Sequence, residues 1–227
     1  MMRKLMMATC LAMVLSSQPL MAQETFNEMQ YSPKGTVFTL NAPSRPTLRL
    51  YHAGRGGKYF KKVKMKPAGT KNLWKAEVKG NLKGMFYTFD IGRGETPGVF
   101  AKAVGCNGGR AAVIDMADTN PVGWEDDHRL TTKSMADLVL YELHHRDFSI
   151  DASSGLVNKG KFLALTEKKA IAHLKELGIN AVHILPSFDF ASIDEAKYNT
   201  PQYNWGYDPL NYNVPEGSYS FDAELPT

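Results

Sequence analysis

Two short apolar runs on either side of an amphipathic helix constrain the fold of this chain most. LVLYEL occupies residues 138–143 and INAVHIL occupies residues 179–185. The apolar N-terminal half of the first run fits a parallel strand that is covered on both faces, and the second run predicts another buried strand. Between them Thr166 fits an N-cap, an apolar stripe follows, and Gly178 fits the position after the last helical turn. The pattern predicts a βαβ unit, because parallel neighbours require a crossover connection.

The first of these strands is expected to continue to residue 148, with a polar second half that reads HHRDF. A functional interpretation would make Glu142 or Asp147 a catalytic carboxylate. The alternative is a hydrogen-bonded charge network that supports the end of the strand. The sequence favours the network, because closely spaced buried charges need partners before they can serve any other role.

Residues 26–92 alternate apolar and polar side chains in short segments separated by turn sequences. Four segments predict strands, at residues 36–40, 48–51, 73–78 and 85–91. Strands of this length and spacing predict a small β-sandwich. Trp74 is a candidate for stacking on a sugar ring, with packing in the sandwich core as the alternative. The glycine-rich residues 93–135 predict an irregular connector.

Residues 186–227 show neither a helical nor a strand period, and they include a dense aromatic stretch, YNWGYDP, at residues 203–209. Pro201, Pro209 and Pro215 argue against a strand ladder or a helix interior. Exposed aromatic faces cost free energy unless something covers them, and the flat C–H faces of sugars fit. The alternative is an aromatic loop folded onto its own core. A loop of this length is more often functional than not.

Residues 1–22 have the pattern of a secretory signal peptide, with Arg3 and Lys4 before an apolar stretch and Ala22 before a cleavage site. The stretch is too short to span a bilayer, so no transmembrane segment is predicted and a secreted or periplasmic location is expected. The chain has 27 Lys+Arg and 23 Asp+Glu, and loss of the two leader charges leaves 25 against 23. A near-neutral chain of this kind gives no reason to expect a nucleic-acid partner.

YNWGYDP followed by PEGSYS resembles the signature loop of type I pullulanases, which are starch-debranching enzymes of glycoside hydrolase family 13, the α-amylase superfamily. YELHHRDFS is similar to that family's first barrel strand, and TVFTLNAPSRPTLRLY resembles its starch-binding-type module. The resemblance implies the N-terminal portion of a multidomain enzyme. A signal peptide (1–22), an immunoglobulin-like β-sandwich of starch-binding type (23–92) and a connector (93–135) would precede the first βαβ part of an incomplete (β/α)8 TIM barrel (136–227).

The same resemblance implies hydrolysis of α-1,6 branch linkages in pullulan, starch and glycogen, with retention. Tyr207 matches the family tyrosine that stacks under the glucose ring at the bond being cut, and Asp208 is carried over as a polar contact beside it. Trp205 and Asn204, in the same motif, are the further candidates for substrate binding. The family's catalytic carboxylates lie on later strands, and nothing resembling the motifs around them occurs here. No catalytic residue is therefore assigned, and the chain is expected to be inactive alone.

The expected partner is an α-glucan polysaccharide, namely pullulan, starch or glycogen. No cofactor and no metal site are predicted, and calcium binding by the complete enzyme is left open. Two alternatives remain from the sequence. One is a non-catalytic α-glucan-binding protein, and the other is part of a related branching or isoamylase-type enzyme.

Overall fold

The computed structural model describes residues 27–128, 131–132, 134–197 and 200–225. The expected signal peptide therefore lies outside the described residues. Within the described residues, no helix has the length and apolar character needed to cross a bilayer. Strands dominate this part of the chain, which contains two α-helices and several single turns of 3₁₀ helix.

Nine short strands in the first half of the chain form two antiparallel sheets. In chain order they are β1 (Met29–Gln30), β2 (Gly35–Asn41), β3 (Thr47–Tyr51), β4 (Lys61–Lys64), β5 (Lys66–Pro67), β6 (Leu73–Lys79), β7 (Phe86–Asp90), β8 (Glu95–Thr96) and β9 (Ala111–Ala112). One sheet has the order β1-β2-β6-β5, and the other has the order β4-β3-β7-β8, with β9 paired to β7. The four strands predicted from alternation correspond to β2, β3, β6 and β7.

The core lies between these two sheets, because each sheet turns its alternate apolar side chains toward the other. Phe38 on β2 and Tyr87 on β7 belong to different sheets, and their ring centroids are 4.9 Å apart in an edge-to-face contact. Both side chains are almost fully buried. Trp74 is half-buried against the same core, and its indole N–H donates to the Ala42 carbonyl at 2.9 Å. This placement fits the core interpretation of Trp74; glucan stacking there stays a prediction.

Two short strands of the second sheet lie in residues 93–135, which were predicted to form an irregular connector. β8 and β9 both pair with β7, and the small side chains of Ala111 and Ala112 are buried. Gly105 lies against Gly54, and a Cβ built on Gly105 would lie 2.4 Å from the Gly54 Cα. Only glycine at both positions permits this backbone contact.

The predicted βαβ unit is present in the second half of the chain. Strands β10 (Leu140–Leu143) and β11 (Ala181–Ile184) are paired in parallel, and helix α2 (Lys168–Glu176) lies in the connection between them. Gly178 has φ +73°, as expected for the residue that stops a helix. Leu140 is 64% exposed and Val182 is 40% exposed. Within the described residues, the two strands are therefore not covered on both faces.

Two local predictions around this unit were wrong. The first strand ends at Leu143, and residues predicted as its polar half form helix α1 (His145–Ile150), for which His144 Nδ1 accepts from the Asp147 N–H. Thr166 does not cap α2, because it ends a 3₁₀ turn (Phe162–Thr166) in which its hydroxyl donates to the Leu163 carbonyl.

The long segment after β11 also contains regular structure that the sequence did not predict. Strand β12 (Phe188–Phe190) pairs antiparallel with β13 (Pro209–Pro215), with register shifts between successive pairs. The two prolines of β13 are its first and last residues, where a missing N–H interrupts no ladder. The argument from prolines against a strand was therefore wrong here.

Candidate functional site

The aromatic segment, defined as residues 203–209, connects β12 to β13 and lies on the surface. Tyr203, Trp205 and Tyr207 are 67%, 59% and 64% exposed. Tyr212, on β13, is 70% exposed, whereas Tyr219 beyond it is buried. The rings of the aromatic segment are therefore not folded onto the protein's own core, which was the alternative left open by the sequence. They present apolar faces to solvent in a short stretch of chain.

The backbone of the aromatic segment is fixed from inside by Asn204, which is only 8% exposed. Its side-chain N–H groups donate to Ser192 Oγ and, at 2.8 Å, to Asp208 Oδ1, while its carbonyl oxygen accepts from the Gly206 N–H. Gly206 has φ +92°, and a Cβ there would lie 2.7 Å from the Pro186 carbonyl oxygen. The rings of Trp205 and Tyr207 are thus carried on a preorganised turn. Substrate contact by Asn204 itself stays a prediction, because its amide is already engaged within the protein.

Asp208 is partly buried beside the exposed ring of Tyr207. Burial alone would raise the pKa of its carboxyl, but hydrogen bonds from Ser192 and Asn204 outweigh burial and lower that pKa. An ionised carboxylate next to an exposed aromatic ring is a suitable acceptor for sugar hydroxyls. The roles of Tyr207, Asp208 and Trp205 in substrate binding are compatible with these positions and stay predictions.

Glu142 and Asp147 are not part of a buried network. Glu142 is 59% exposed and lies 3.0 Å from His183 Nδ1, and Asp147 is 54% exposed and lies 3.3 Å from Arg146 Nη1. Both carboxylates are thus in exposed surface contacts, which contribute little stability.

Sequence reasoning missed a buried cluster of three carboxyl groups from Asp189, Glu195 and Glu216, called the carboxyl cluster below. These residues are 1%, 3% and 0% exposed. Each offers one oxygen, and these oxygens all lie within 4.8 Å of one another. In the described part of the chain, this is the one group of potential metal ligands that meets this spacing. Carboxylate oxygens are the ligands that hard cations prefer, so the cluster could hold such a cation, although the sequence predicted no metal site.

Each member of the carboxyl cluster accepts hydrogen bonds from nearby amides. Glu216 accepts from the N–H groups of Phe190 at 3.1 Å and Ser218 at 3.0 Å, and Asp189 accepts from the Asn211 side chain. Despite these bonds, burial raises the pKa of Glu216 to about 7. Burial also raises the pKa of Asp189 and of Glu195. In the absence of a cation, Glu216 is therefore partly protonated near neutral pH.

The carboxyl cluster lies at a seam between the sandwich and the β12–β13 pair. The turn Cys106–Gly108 contacts it directly, since the Asn107 N–H donates to Glu195 and Asn107 Oδ1 accepts from the Glu195 N–H at 2.8 Å. Asn107 Nδ2 donates to Asp194 at 3.0 Å, and the Asp194 N–H in turn donates to Gln202 at 2.8 Å. This chain of bonds runs from the sandwich to the residue just before the aromatic segment.

Comparisons with known proteins identify pullulanases over most of the chain and an isoamylase over part of it. It is 36% identical over 214 residues to a pullulanase of Bacillus subtilis, covering 86% of this chain and 28% of that protein. It is 40% identical over 109 residues to the chloroplastic isoamylase 3 of Oryza sativa, covering 45% of this chain and 14% of that protein. No protein-family model matches the chain.

Solved structures agree with the sequence comparison. The pullulanase of Paenibacillus barengoltzii, solved in complex with maltohexaose and α-cyclodextrin, superposes with a TM-score of 0.85 at 40% sequence identity. The match covers 90% of this chain and 34% of that structure. The described residues therefore have a pullulanase-like fold, and the chain spans about a third or less of the length of these relatives.

Proposed function

Since this chain is a relative of the pullulanases over most of its length, we propose that it supplies an α-glucan-binding surface of a debranching enzyme. The reaction proposed for the complete enzyme is hydrolysis of α-1,6 linkages in pullulan, starch or glycogen, with retention. The observation that carries the proposal is the exposed aromatic segment on its preorganised turn. The maltohexaose and cyclodextrin bound by the Paenibacillus relative support α-glucan as the ligand class.

Tyr207 is the residue proposed to contact the sugar ring at the bond that is cut. Its ring is exposed, and its backbone is held by Gly206 and Asn204. The transition state of glycoside hydrolysis is oxocarbenium-like and positively charged, and the face of an aromatic ring attracts positive charge. Stacking should therefore strengthen as the charge develops, and Tyr207 would contribute to the rate as well as to binding.

We propose that the 227 residues alone do not hydrolyse glucan. Retaining glycosidases place a nucleophile and an acid about 5–5.5 Å apart at the bond that is cut. The close carboxyl groups described above, Asp189, Glu195 and Glu216, are almost fully buried and so are out of reach of a polysaccharide. Asp208 and Asp147 are proposed to act as a polar contact and a surface ion pair, respectively. By itself, the chain would then bind glucan without hydrolysing it, and a glucan-binding protein is the second candidate function.

Affinity electrophoresis through gels containing pullulan tests the binding proposal on the full chain. Tyr207→Ala should weaken binding about fivefold or more, because an aromatic contact is worth about 1 kcal/mol. Trp124→Ala is the matched control, since Trp124 is 53% exposed and lies outside the aromatic segment. In the complete enzyme, Tyr207→Ala should also raise the barrier by about 1–3 kcal/mol. Unchanged retardation in Tyr207→Ala, with lowered thermal stability, would show that Tyr207 is structural.

The leader-like residues 1–22 lead us to propose a secreted or periplasmic location for the protein. This part of the proposal is tested separately, by fractionating cells that express the full chain and comparing the mass of the recovered protein with the mass expected after removal of those residues.

A further inference from the structure

A cavity of about 240 Å³ lies beside the aromatic segment, between it and the segment that follows α1. One wall of the cavity is basic, with Arg146, Lys159 and Lys161 among its lining residues. No aspartate or glutamate is among the described residues that line it. We call this cavity the basic pocket. Several cationic groups around a concave surface focus a positive potential into it.

Two of the basic groups make long polar contacts within the protein. Lys159 Nζ donates to the Ala152 carbonyl at 3.3 Å, and Arg146 Nη1 contacts Asp147 at 3.3 Å. An ammonium group carries three N–H donors and a guanidinium carries five. Burial lowers the pKa of Lys161, whose Nζ donates to the Ser218 carbonyl at 2.8 Å. An anion in the pocket would therefore stabilise the charged arginine and lysine side chains. It would offset both their mutual repulsion and their loss of water.

Gly160 brings the two lysines together on the pocket wall. Its φ is +71°, and a Cβ there would lie 3.2 Å from the Ile150 Cδ1 atom and 3.6 Å from the Arg146 Cγ atom. The Gly160 N–H donates to the buried Ser149 hydroxyl at 2.7 Å. The segment that carries Lys159 and Lys161 is thus fixed by its neighbours, and the basic wall is a built part of the fold.

The other wall is uncharged, with polar and apolar side chains, and it belongs to the aromatic segment and the residues before it. Thr200, Gln202 and Asn204 line this side, with Ser218 between the two walls. A cavity of this volume is smaller than the about 300–1,000 Å³ that holds drug-sized ligands, so it has room for one charged sugar unit. Because Asn204 also holds the turn of Trp205 and Tyr207, the pocket is continuous with the proposed glucan surface.

We propose that the basic pocket binds a phosphate group carried by a sugar of the bound glucan, so that phosphorylated α-glucan is a ligand of this surface. Phosphate is close to a dianion at neutral pH and accepts several charge-assisted hydrogen bonds from arginine and lysine. The phosphate part rests on the pocket alone, whereas the glucan part rests on the proposed function. The same chemistry could come from free phosphate, and the experiment separates the two sources.

Isothermal titration of the full chain with inorganic phosphate, glucose 6-phosphate and glucose, at one ionic strength, tests the proposal. Glucose 6-phosphate should bind, glucose should bind at least about tenfold more weakly, and Lys159→Gln and Arg146→Gln should each weaken glucose 6-phosphate binding about tenfold. Lys175→Gln is the matched control, because Lys175 is an exposed lysine in the last turn of α2. Circular dichroism of each variant establishes that it is folded.

Three outcomes would overturn the proposal. One is no measurable binding of either phosphate compound, and another is binding that Lys159→Gln and Arg146→Gln leave unchanged. The third is inorganic phosphate binding as tightly as glucose 6-phosphate, which would show that the sugar is not recognised. Retardation by pullulan is measured on the same protein samples. If pullulan binds and glucose 6-phosphate does not, this inference fails while the proposed function stands; the reverse result supports the phosphate site and contradicts the proposed function.

Discussion

Replacement of Glu216 by glutamine should remove a pH-dependent loss of stability from this protein. Glu216 is fully buried, and its acidic neighbours are Asp189 on β12 and Glu195 in the 3₁₀ turn Glu195–Lys197, with Glu224 acting on Glu195 from beyond. Glutamine keeps the shape of the side chain, but the Phe190 and Ser218 N–H groups donate to different oxygens of Glu216, so glutamine can accept only one of these bonds, and that loss does not depend on pH. Glutamine cannot ionise, so it removes the cost of a buried negative charge.

The magnitude follows from the pKa of Glu216, which burial raises from 4.5 to about 7. One pKa unit corresponds to about 1.36 kcal/mol, so the difference of about 2.5 corresponds to at most about 3 kcal/mol. Because the folded state binds this proton more tightly than the unfolded state does, the stabilisation is complete below about pH 4.5 and is lost as pH rises through about 7. The wild-type chain should therefore lose up to about 3 kcal/mol from this group between pH 5 and pH 8.5.

Urea unfolding followed by tryptophan fluorescence at pH 5, 7 and 8.5, with a chelator present, measures this effect. The free energy of unfolding of Glu216→Gln minus that of the wild type should rise by up to about 3 kcal/mol between pH 5 and pH 8.5. Glu77→Gln is the control, since Glu77 is 67% exposed and pairs with Lys75. A difference that does not change with pH would refute the reasoning. So would a wild-type protein that calcium stabilises strongly at pH 8.5, because a bound cation would then hold the carboxyl cluster ionised.

Two further predictions concern activity and the seam. The purified chain should release no reducing ends from pullulan, measured against a complete pullulanase as positive control; turnover that disappears in Asp147→Asn or Asp208→Asn would contradict this. Asn107→Gly should lower the free energy of unfolding by about 1–2 kcal/mol, because the hydrogen bonds of its side chain to Asp194 and Glu195 are lost. Asn107→Ala should lower it by about 1 kcal/mol more, since φ at this position is +63°, and equal urea midpoints for the two variants would contradict this account.

The elements that could be predicted from the sequence are those whose signal is local and periodic. Alternation identified β2, β3, β6 and β7, and two apolar runs around a helix identified the βαβ unit. The end of β10 was missed, because the cap of α1 is a histidine ring nitrogen, which is not a typical N-cap group. β13 was missed because its prolines were taken as evidence against a strand. Pro209 and Pro215 are the first and last residues of β13, where proline is tolerated.

The candidate site likewise has one part that the sequence indicates and one part that it does not. Composition left open whether the aromatic segment lies on the surface or folds onto the core, and the exposure of Tyr203, Trp205 and Tyr207 places it on the surface. The carboxyl cluster could not be predicted, because no spacing relates Asp189 to Glu216. They meet only through the irregular pairing of β12 with β13, and burial then gives ordinary acidic residues an unusual pKa.

The bonds of the turn Cys106–Gly108 across the seam have a consequence for engineering chimeric enzymes. A sandwich module joined only by a linker could be exchanged between homologues as an independent cassette. Here Asn107 and the Gly108 carbonyl are hydrogen-bonded to Glu195 and to Asn211, respectively, which are residues of the neighbouring unit. A graft whose junction falls before residue 106 would keep the recipient's own turn and preserve those contacts. A junction after residue 108 would transplant the turn without its partners, and a junction before Cys106 would also separate β9 from the β7 strand of its own sheet, so neither junction leaves all of the native contacts intact.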